Sequence, residues 1–319
     1  MHSYASIPTK VTGSVRSSDR LIRDPPFPRI VMGRPHSAAD VLPTSFADSV
    51  ISHGAETMGR AKRWPTRKAE MMSRIRERGW VRSLTAVDRP DVRVVCFPHS
   101  GGSATAFSEW STAAPPGVSL TAVQYPGRGD RFGEPSMDDV VAMAGRAAAE
   151  LLRLPASDCV LFGHSLGALV AYETALVLRD AGEEPRELCV SAALPPGVAG
   201  GGSIHLAPDD EFWAKLCGLG GIEPGIAESA ELRELLLPTL RSDLRAHANY
   251  RPRPGIRPLS CPVRCYHGVG DPLVDEARLG EWARVSSGEF TLSVRPGGHF
   301  HVATDVAGLV ADVVRQGRA

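Results

Sequence analysis

From Val92 to the C-terminus, short apolar runs alternate with longer stretches in which apolar residues recur at helical spacing. The runs Val92 to Phe97, Val118 to Gln124, Cys159 to Phe162, Leu188 to Ala193, Val263 to His267 and Phe290 to Val294 have the length and continuity of strands buried on both faces. Between them, Ser136-Met137-Asp138-Asp139 opens a helix carrying Val140, Val141, Ala144, Ala148, Leu151 and Leu152. A second helix is expected over Leu166 to Leu178, and a closing one near Val302 to Val314. This alternation predicts an α/β fold with a mainly parallel sheet and helices on both faces, forming one domain over residues 75–319.

The alternation breaks between Val198 and Arg257. Helical pieces are expected there at Asp209 to Leu219 and at Ser229 to Leu237, with Pro238 ending or kinking the second and Leu240 and Leu244 continuing on a new helix. An insertion at that point, above the strand ends, reads as a helical lid over about 198–257, against the plainer alternative that its helices only complete the core. Residues 1–74 differ again, being rich in Pro, Ser and Arg and ending in a basic cluster from Arg60 through Lys68. They are expected to be a disordered extension, either a regulatory or targeting tail or residues ahead of a later start at Met71 or Met72.

Composition narrows the class. Hydrophobic residues make up 43%, 36 Lys and Arg balance 36 Asp and Glu, and no apolar run approaches twenty residues, so neither a membrane protein nor a nucleic-acid binder is expected. Of the six cysteines, Cys96, Cys159 and Cys189 sit in apolar runs as small hydrophobes, and Cys261 and Cys265 lack a matching second pair for zinc. Reduced thiols and the lack of an apolar leader segment fit a cytoplasmic protein, and a monomer is expected.

The chemistry enters with Gly163-His164-Ser165-Leu166-Gly167. With 32 glycines in the chain a Gly-X-Ser-X-Gly pattern arises easily by chance; its position between a buried strand and a helix is what gives it weight. A strand meeting a helix in so few residues strains the serine backbone, and glycines at 163 and 167 make room, as in the nucleophile elbow of α/β-hydrolases. A serine needs a base, and the base needs a carboxylate; the order in this fold is Ser, acid, His. Asp271 follows one strand through Gly268-Val269-Gly270, and His299 follows the next through Pro296-Gly297-Gly298. Asp275 and Glu276 are rival acids expected on the following helix, and His301 is a rival base without the glycine turn; His247 and His267 read as packed histidines. An oxyanion hole needs two backbone donors, expected from the amide of Leu166 and from the turn Pro98 to Ser103, with Ser100 as the donor.

Together these segments resemble the stand-alone type II thioesterases that accompany polyketide and nonribosomal peptide synthases. The resemblance runs from about Trp80 to the C-terminus and rests on several stretches. They are Val95-Cys96-Phe97-Pro98-His99-Ser100-Gly101-Gly102-Ser103 with Phe107 and Trp110, Gln124-Tyr125-Pro126-Gly127-Arg128-Gly129, the serine pentapeptide with Ala168, Leu240-Arg241-Ser242-Asp243, Gly270-Asp271-Pro272-Leu273-Val274 and Pro296-Gly297-Gly298-His299-Phe300. It implies that Ser165, His299 and Asp271 are nucleophile, base and orienting acid. The implied partner is a carrier protein whose phosphopantetheine arm bears an unwanted acyl or aminoacyl group, with no metal or cofactor. Leu166 replaces a frequent Met and Tyr125 a frequent Leu, which bears on acyl preference, and Arg128 reads as a structural bridge rather than a phosphate contact. A small-molecule esterase or lipase of the same fold, and a non-catalytic binding protein, are the competing readings.

Overall fold

The computed structural model describes residues 79–315. The expected N-terminal extension, residues 1–74, lies outside them. Seven strands form one sheet in the order β1-β3-β2-β4-β5-β6-β7, comprising β1 (Val81–Ser83), β2 (Val92–Phe97), β3 (Val118–Val123), β4 (Asp158–His164), β5 (Glu187–Ser191), β6 (Val263–Gly268) and β7 (Phe290–Arg295). Every pairing is parallel except that of β1 with β3. β1 was not foreseen, because three residues carry too little pattern to register as a strand.

The alternate residues of each strand feed two cores. Val95, Phe97, Leu161, Leu188, Val190 and Cys265 face α2 (Val140–Leu151) and α3 (Leu166–Asp180), while Val94, Cys96, Leu120, Val160, Phe162 and Tyr266 face the short α1 (Trp110–Ala113) and α8 (Val306–Arg315). This is the period-two division of a sheet covered on both faces. Helix α2 starts one turn later than Ser136 would place it: Asp139 caps it by accepting from the Ala142 amide at 2.9 Å, and Ser136 lies beside Thr239 instead. The closing segment is likewise divided into a 3-10 turn at His301–Ala303 and α8.

Between β5 and β6 the chain inserts α4 (Asp209–Gly218), α5 (Pro224–Ala227) and α6 (Ala230–Asn249), held by an apolar cluster of their own that includes Phe212, Trp213, Leu216, Leu237 and Leu240. Of the two outcomes expected at Pro238, an end to the helix is overturned: α6 is one 20-residue helix with Pro238 inside it, and Leu240 and Leu244 lie on that same helix. An interior proline costs about 3 kcal/mol in an isolated helix. Here anchors flank it on both sides: Leu237 and Leu240 pack in the cluster, the Thr239 hydroxyl donates to the Gly127 carbonyl at 2.9 Å, and the Ser242 hydroxyl donates to the Met137 carbonyl at 3.0 Å. Tertiary contacts outweigh the local preference.

A buried charge network ties α8 to the sheet. Arg264 on β6 lies 3.1 Å from Glu187 on β5 and 3.3 Å from Asp312 on α8, and the Tyr266 hydroxyl donates to Asp312 at 3.0 Å. Burial pushes the Glu187 carboxyl above its ordinary value, with Arg264 opposing the shift. Arg264→Met should therefore cost about 3–5 kcal/mol in urea unfolding, because it strands Glu187 without its cation, whereas Arg264→Met with Glu187→Leu should recover most of that loss.

Candidate active site

Parallel pairing aligns the carboxyl ends of β2, β4, β5, β6 and β7, so the loops that follow them converge on one edge of the sheet. β4 passes into α3 with Ser165 as the sole intervening residue, and Ser165 takes φ 55° and ψ −122°. Side chains at the flanking glycines would not fit: a Cβ on Gly163 would lie 2.2 Å from the Gly167 carbonyl oxygen, and one on Gly167 would lie 2.1 Å from that of Phe97. The strained turn is closed by the Ser165 amide, which donates to the Ser191 carbonyl of β5 at 2.8 Å.

The three residues picked out as a triad meet. His299 Nε2 is 3.0 Å from Ser165 Oγ, and His299 Nδ1 is 2.8 Å from Asp271 Oδ2. The Asp271 carboxyl side chain is fully buried, and its other oxygen accepts from the Leu273 amide at 2.8 Å. A carboxylate only accepts, so Nδ1 carries the imidazole proton and Nε2 is left to accept from the serine hydroxyl. The rivals lie elsewhere. Asp275 caps the short helix α7 (Glu276–Leu279), Glu276 faces His267 at 3.8 Å, and His247 sits on α6.

His301 has a different position, beneath the elbow. Its Nε2 is 3.0 Å from Ser191 Oγ, which in turn is 3.0 Å from His164 Nδ1. Burial lowers the pKa of His301 to about 4, with repulsion from Arg295 adding to it, and carries that of His164 well below its usual value. His99, whose ring stacks edge-on against His164 and Phe300, is also lowered to about 4 by burial, then by His299 and Arg128. These rings were not foreseen as a group, since they come from three separate segments, after β2, at the end of β4 and after β7.

At the first turn of α3 the Leu166 amide has no acceptor within the helix. In the turn after β2 the Gly101 amide donates to Asp243 and the Gly102 amide to the His99 carbonyl. Among the described residues the Ser100 amide has no acceptor. Arg128 does bridge, as expected, pairing with Asp243 on α6. Tyr125 proves to be a fully buried packing residue with the Arg128 guanidinium 5.2 Å above its ring and Trp80 against its edge. Among the described residues no group of three or more His, Cys, Asp or Glu side chains is disposed to hold a metal ion, and no helix is long and apolar enough to cross a membrane.

A doubly covered parallel sheet, a strained serine at the β4–α3 turn, and an acid and histidine after β6 and β7 define an α/β-hydrolase. The family profile of the thioesterase domain matches residues 92–316. The chain is 39% identical over 225 residues to Thioesterase PikA5 of Streptomyces venezuelae, covering 70% of this chain and 80% of that one. It is 36% identical over 221 residues to a probable cadicidin biosynthesis thioesterase of Streptomyces griseus, covering 69% of this chain and 61% of the relative. In three dimensions it is similar to BorB, the type II thioesterase of the borrelidin biosynthetic cluster, with a TM-score of 0.70, 34% identity, and coverage of 75% of this chain and 98% of BorB. The chain belongs to the thioesterase family, among the type II thioesterases of polyketide and nonribosomal peptide synthesis, and is a hydrolase of thioester bonds.

The buried histidines make stability pH-dependent. A histidine held at about 4 in the folded chain and near its usual 6.5 when unfolded binds its proton preferentially in the unfolded state. Its contribution is complete above pH 6.5 and is lost as pH falls toward 4. His301 alone should cost the wild type on the order of 3 kcal/mol across that window. Urea unfolding at pH 7.5, 6 and 5 should show a shallower decline for His301→Asn.

Proposed function

We propose that this chain is a stand-alone editing thioesterase that removes aberrant acyl or aminoacyl groups from the phosphopantetheine arm of carrier proteins of polyketide or nonribosomal peptide synthases. Ser165 is the nucleophile, His299 the general base and acid, Asp271 the orienting carboxylate, and the amides of Leu166 and Ser100 the oxyanion donors. The observation that carries the reading is the continuous hydrogen-bonded line from Ser165 Oγ through both His299 nitrogens to a buried carboxylate. Residues 75–319 act as one catalytic domain, with 198–257 as its lid. The protein is read as a monomer, and its six unpaired cysteines are consistent with a cytoplasmic setting.

The reaction runs in two steps. Ser165 Oγ attacks the thioester carbonyl as its proton passes to His299 Nε2, and the oxyanion forms between the two amides. The carbon–sulfur bond then breaks, the pantetheine thiol departs with the proton from His299, and the acyl group remains on Ser165. Water, deprotonated by the same nitrogen, attacks the acyl ester; the acid leaves and the serine hydroxyl is restored. Asp271 holds the imidazole tautomer throughout and stabilises the imidazolium that forms twice. Serine, imidazole, carboxylate and water are sufficient for this sequence.

An acyl-carrier protein and a simple aryl ester, each assayed with wild type and Ser165→Ala, test the proposal. Both activities should vanish in the variant, by several orders of magnitude in kcat, and the wild type should strongly prefer the carrier. Equal or better turnover of the ester would replace this reading with that of a small-molecule esterase.

A further inference from the structure

The second oxyanion donor sits in a turn that has little to hold it in place locally. Gly101 has φ +76°, in the left-handed region, and only the Gly102 amide closes the turn on itself, by donating to the His99 carbonyl at 2.9 Å. A further restraint comes from 142 residues away. The Gly101 amide donates to Asp243 Oδ2 at 2.7 Å, and the Asp243 side chain, on the second half of α6, is completely buried. A Cβ at Gly101 would lie 2.5 Å from Leu240 Cδ2 on the same helix, so α6 rests directly on the turn.

Asp243 is itself fixed by Arg128. The guanidinium, 5% exposed, meets both carboxylate oxygens, with Nη2 to Oδ1 at 2.8 Å and Nη1 to Oδ2. Arg128 is fixed in turn, its Nε donating to the Pro126 carbonyl at 3.3 Å and its own carbonyl accepting from Gln124 Nε2 at 2.8 Å. Gln124 closes the circuit, because its Oε1 accepts from the Ala104 amide at 3.0 Å, at the far end of the same turn. Thus the stretch from Gly101 to Ala104 is held at both ends by one buried polar network.

The charges in this network bear on the chemistry. An unpaired carboxylate one residue from an oxyanion donor would repel the developing negative charge in a low-dielectric site, where consecutive Cα atoms are only about 3.8 Å apart. The bidentate guanidinium neutralises it, so that Asp243 can grip the turn without opposing the transition state.

We propose that Asp243, paired with Arg128, is a positioning residue for the oxyanion hole, holding the Ser100 amide on target from the inserted helix. It acts through Gly101 and does not touch the substrate. The inference rests on the serine-hydrolase reading above.

The test compares an aryl ester with its thiono counterpart, in which sulfur replaces the carbonyl oxygen that the oxyanion hole binds. Arg128→Met with Asp243→Leu removes the anchor without stranding a buried charge, so folding should survive. Its kcat on the oxo ester should fall about 10²-fold, as for loss of an oxyanion donor, with KM changed by less than about threefold. The oxo-to-thiono ratio should shrink at least about tenfold. Arg128→Lys, which keeps the charge but not the fork, should move the ratio in the same direction. Thr239→Val, which cuts the neighbouring α6 anchor to Gly127, should lower Tm and leave the ratio at its wild-type value. A wild-type ratio in the double variant, or its failure to fold, would overturn the inference. Persistent ester hydrolysis in Ser165→Ala would instead sink the reading beneath it.

Discussion

The site hangs on one backbone constraint, the passage from β4 to α3 through a single residue with positive φ. A non-glycine residue held there costs of order 1–3 kcal/mol and persists only where its surroundings leave it no alternative. Here both flanks are immobilised. The last five residues of β4 are buried, and twelve of the fifteen residues of α3 are buried, so neither element can rotate to relieve Ser165. The Ser165 amide is tied across to Ser191, and the two flanking glycines let strand, helix and the end of β2 approach to distances that no side chain would permit. The turn leaves the serine hydroxyl within 3.0 Å of His299 Nε2.

From that fixed point the parallel register places everything else. Phe97 pairs with Gly163, His164 with Ser191 and Gly268 with Arg295, so successive loops leave the sheet at nearly the same level. The polar layer beneath them runs from His164 through Ser191 to His301. Burial keeps these rings uncharged at neutral pH, and the His164 ring centroid lies 5.4 Å from that of His299. In the proposed reaction a charge on it would oppose the imidazolium that His299 carries in each transition state. Desolvation thus leaves Asp271, in direct contact, to govern that charge.

What the chain discloses by reading alone follows from how local each signal is. Strand and helix alternation, the elbow glycines, and the acid and histidine after glycine turns are all encoded within a few residues, and Ser165, Asp271 and His299 do come together. β1 escaped because three residues carry no period, and its antiparallel place depends on pairing with β3. Pro238 misled because its propensity is local while the anchors that override it, at Gly127 and Met137, are more than a hundred residues away. The grip of Asp243 on Gly101 escaped for the same reason. Both residues lie in segments the resemblance had singled out, but their contact exists only after the insertion folds back over β2.

That contact divides the insertion into unequal parts. From Thr239 onward α6 is bound to the body through Thr239, Ser242 and Asp243, by hydrogen bonds to the loops after β2 and β3 and to the segment before α2. The polar contacts of α4 and α5 are made within the insertion itself: Arg241 to the carbonyls of His205 and Ala207, Trp213 to Ala227, and Arg233 to Asp210. Where this part approaches the triad it does so by packing alone, with Gly221 against the ring of Phe300. Displacing α4, α5 and the part of α6 before Thr239 therefore breaks the packing of Gly221 on Phe300 and leaves the three hydrogen bonds intact. Displacing the rest of α6 breaks buried, charge-assisted bonds and disturbs the oxyanion turn with them.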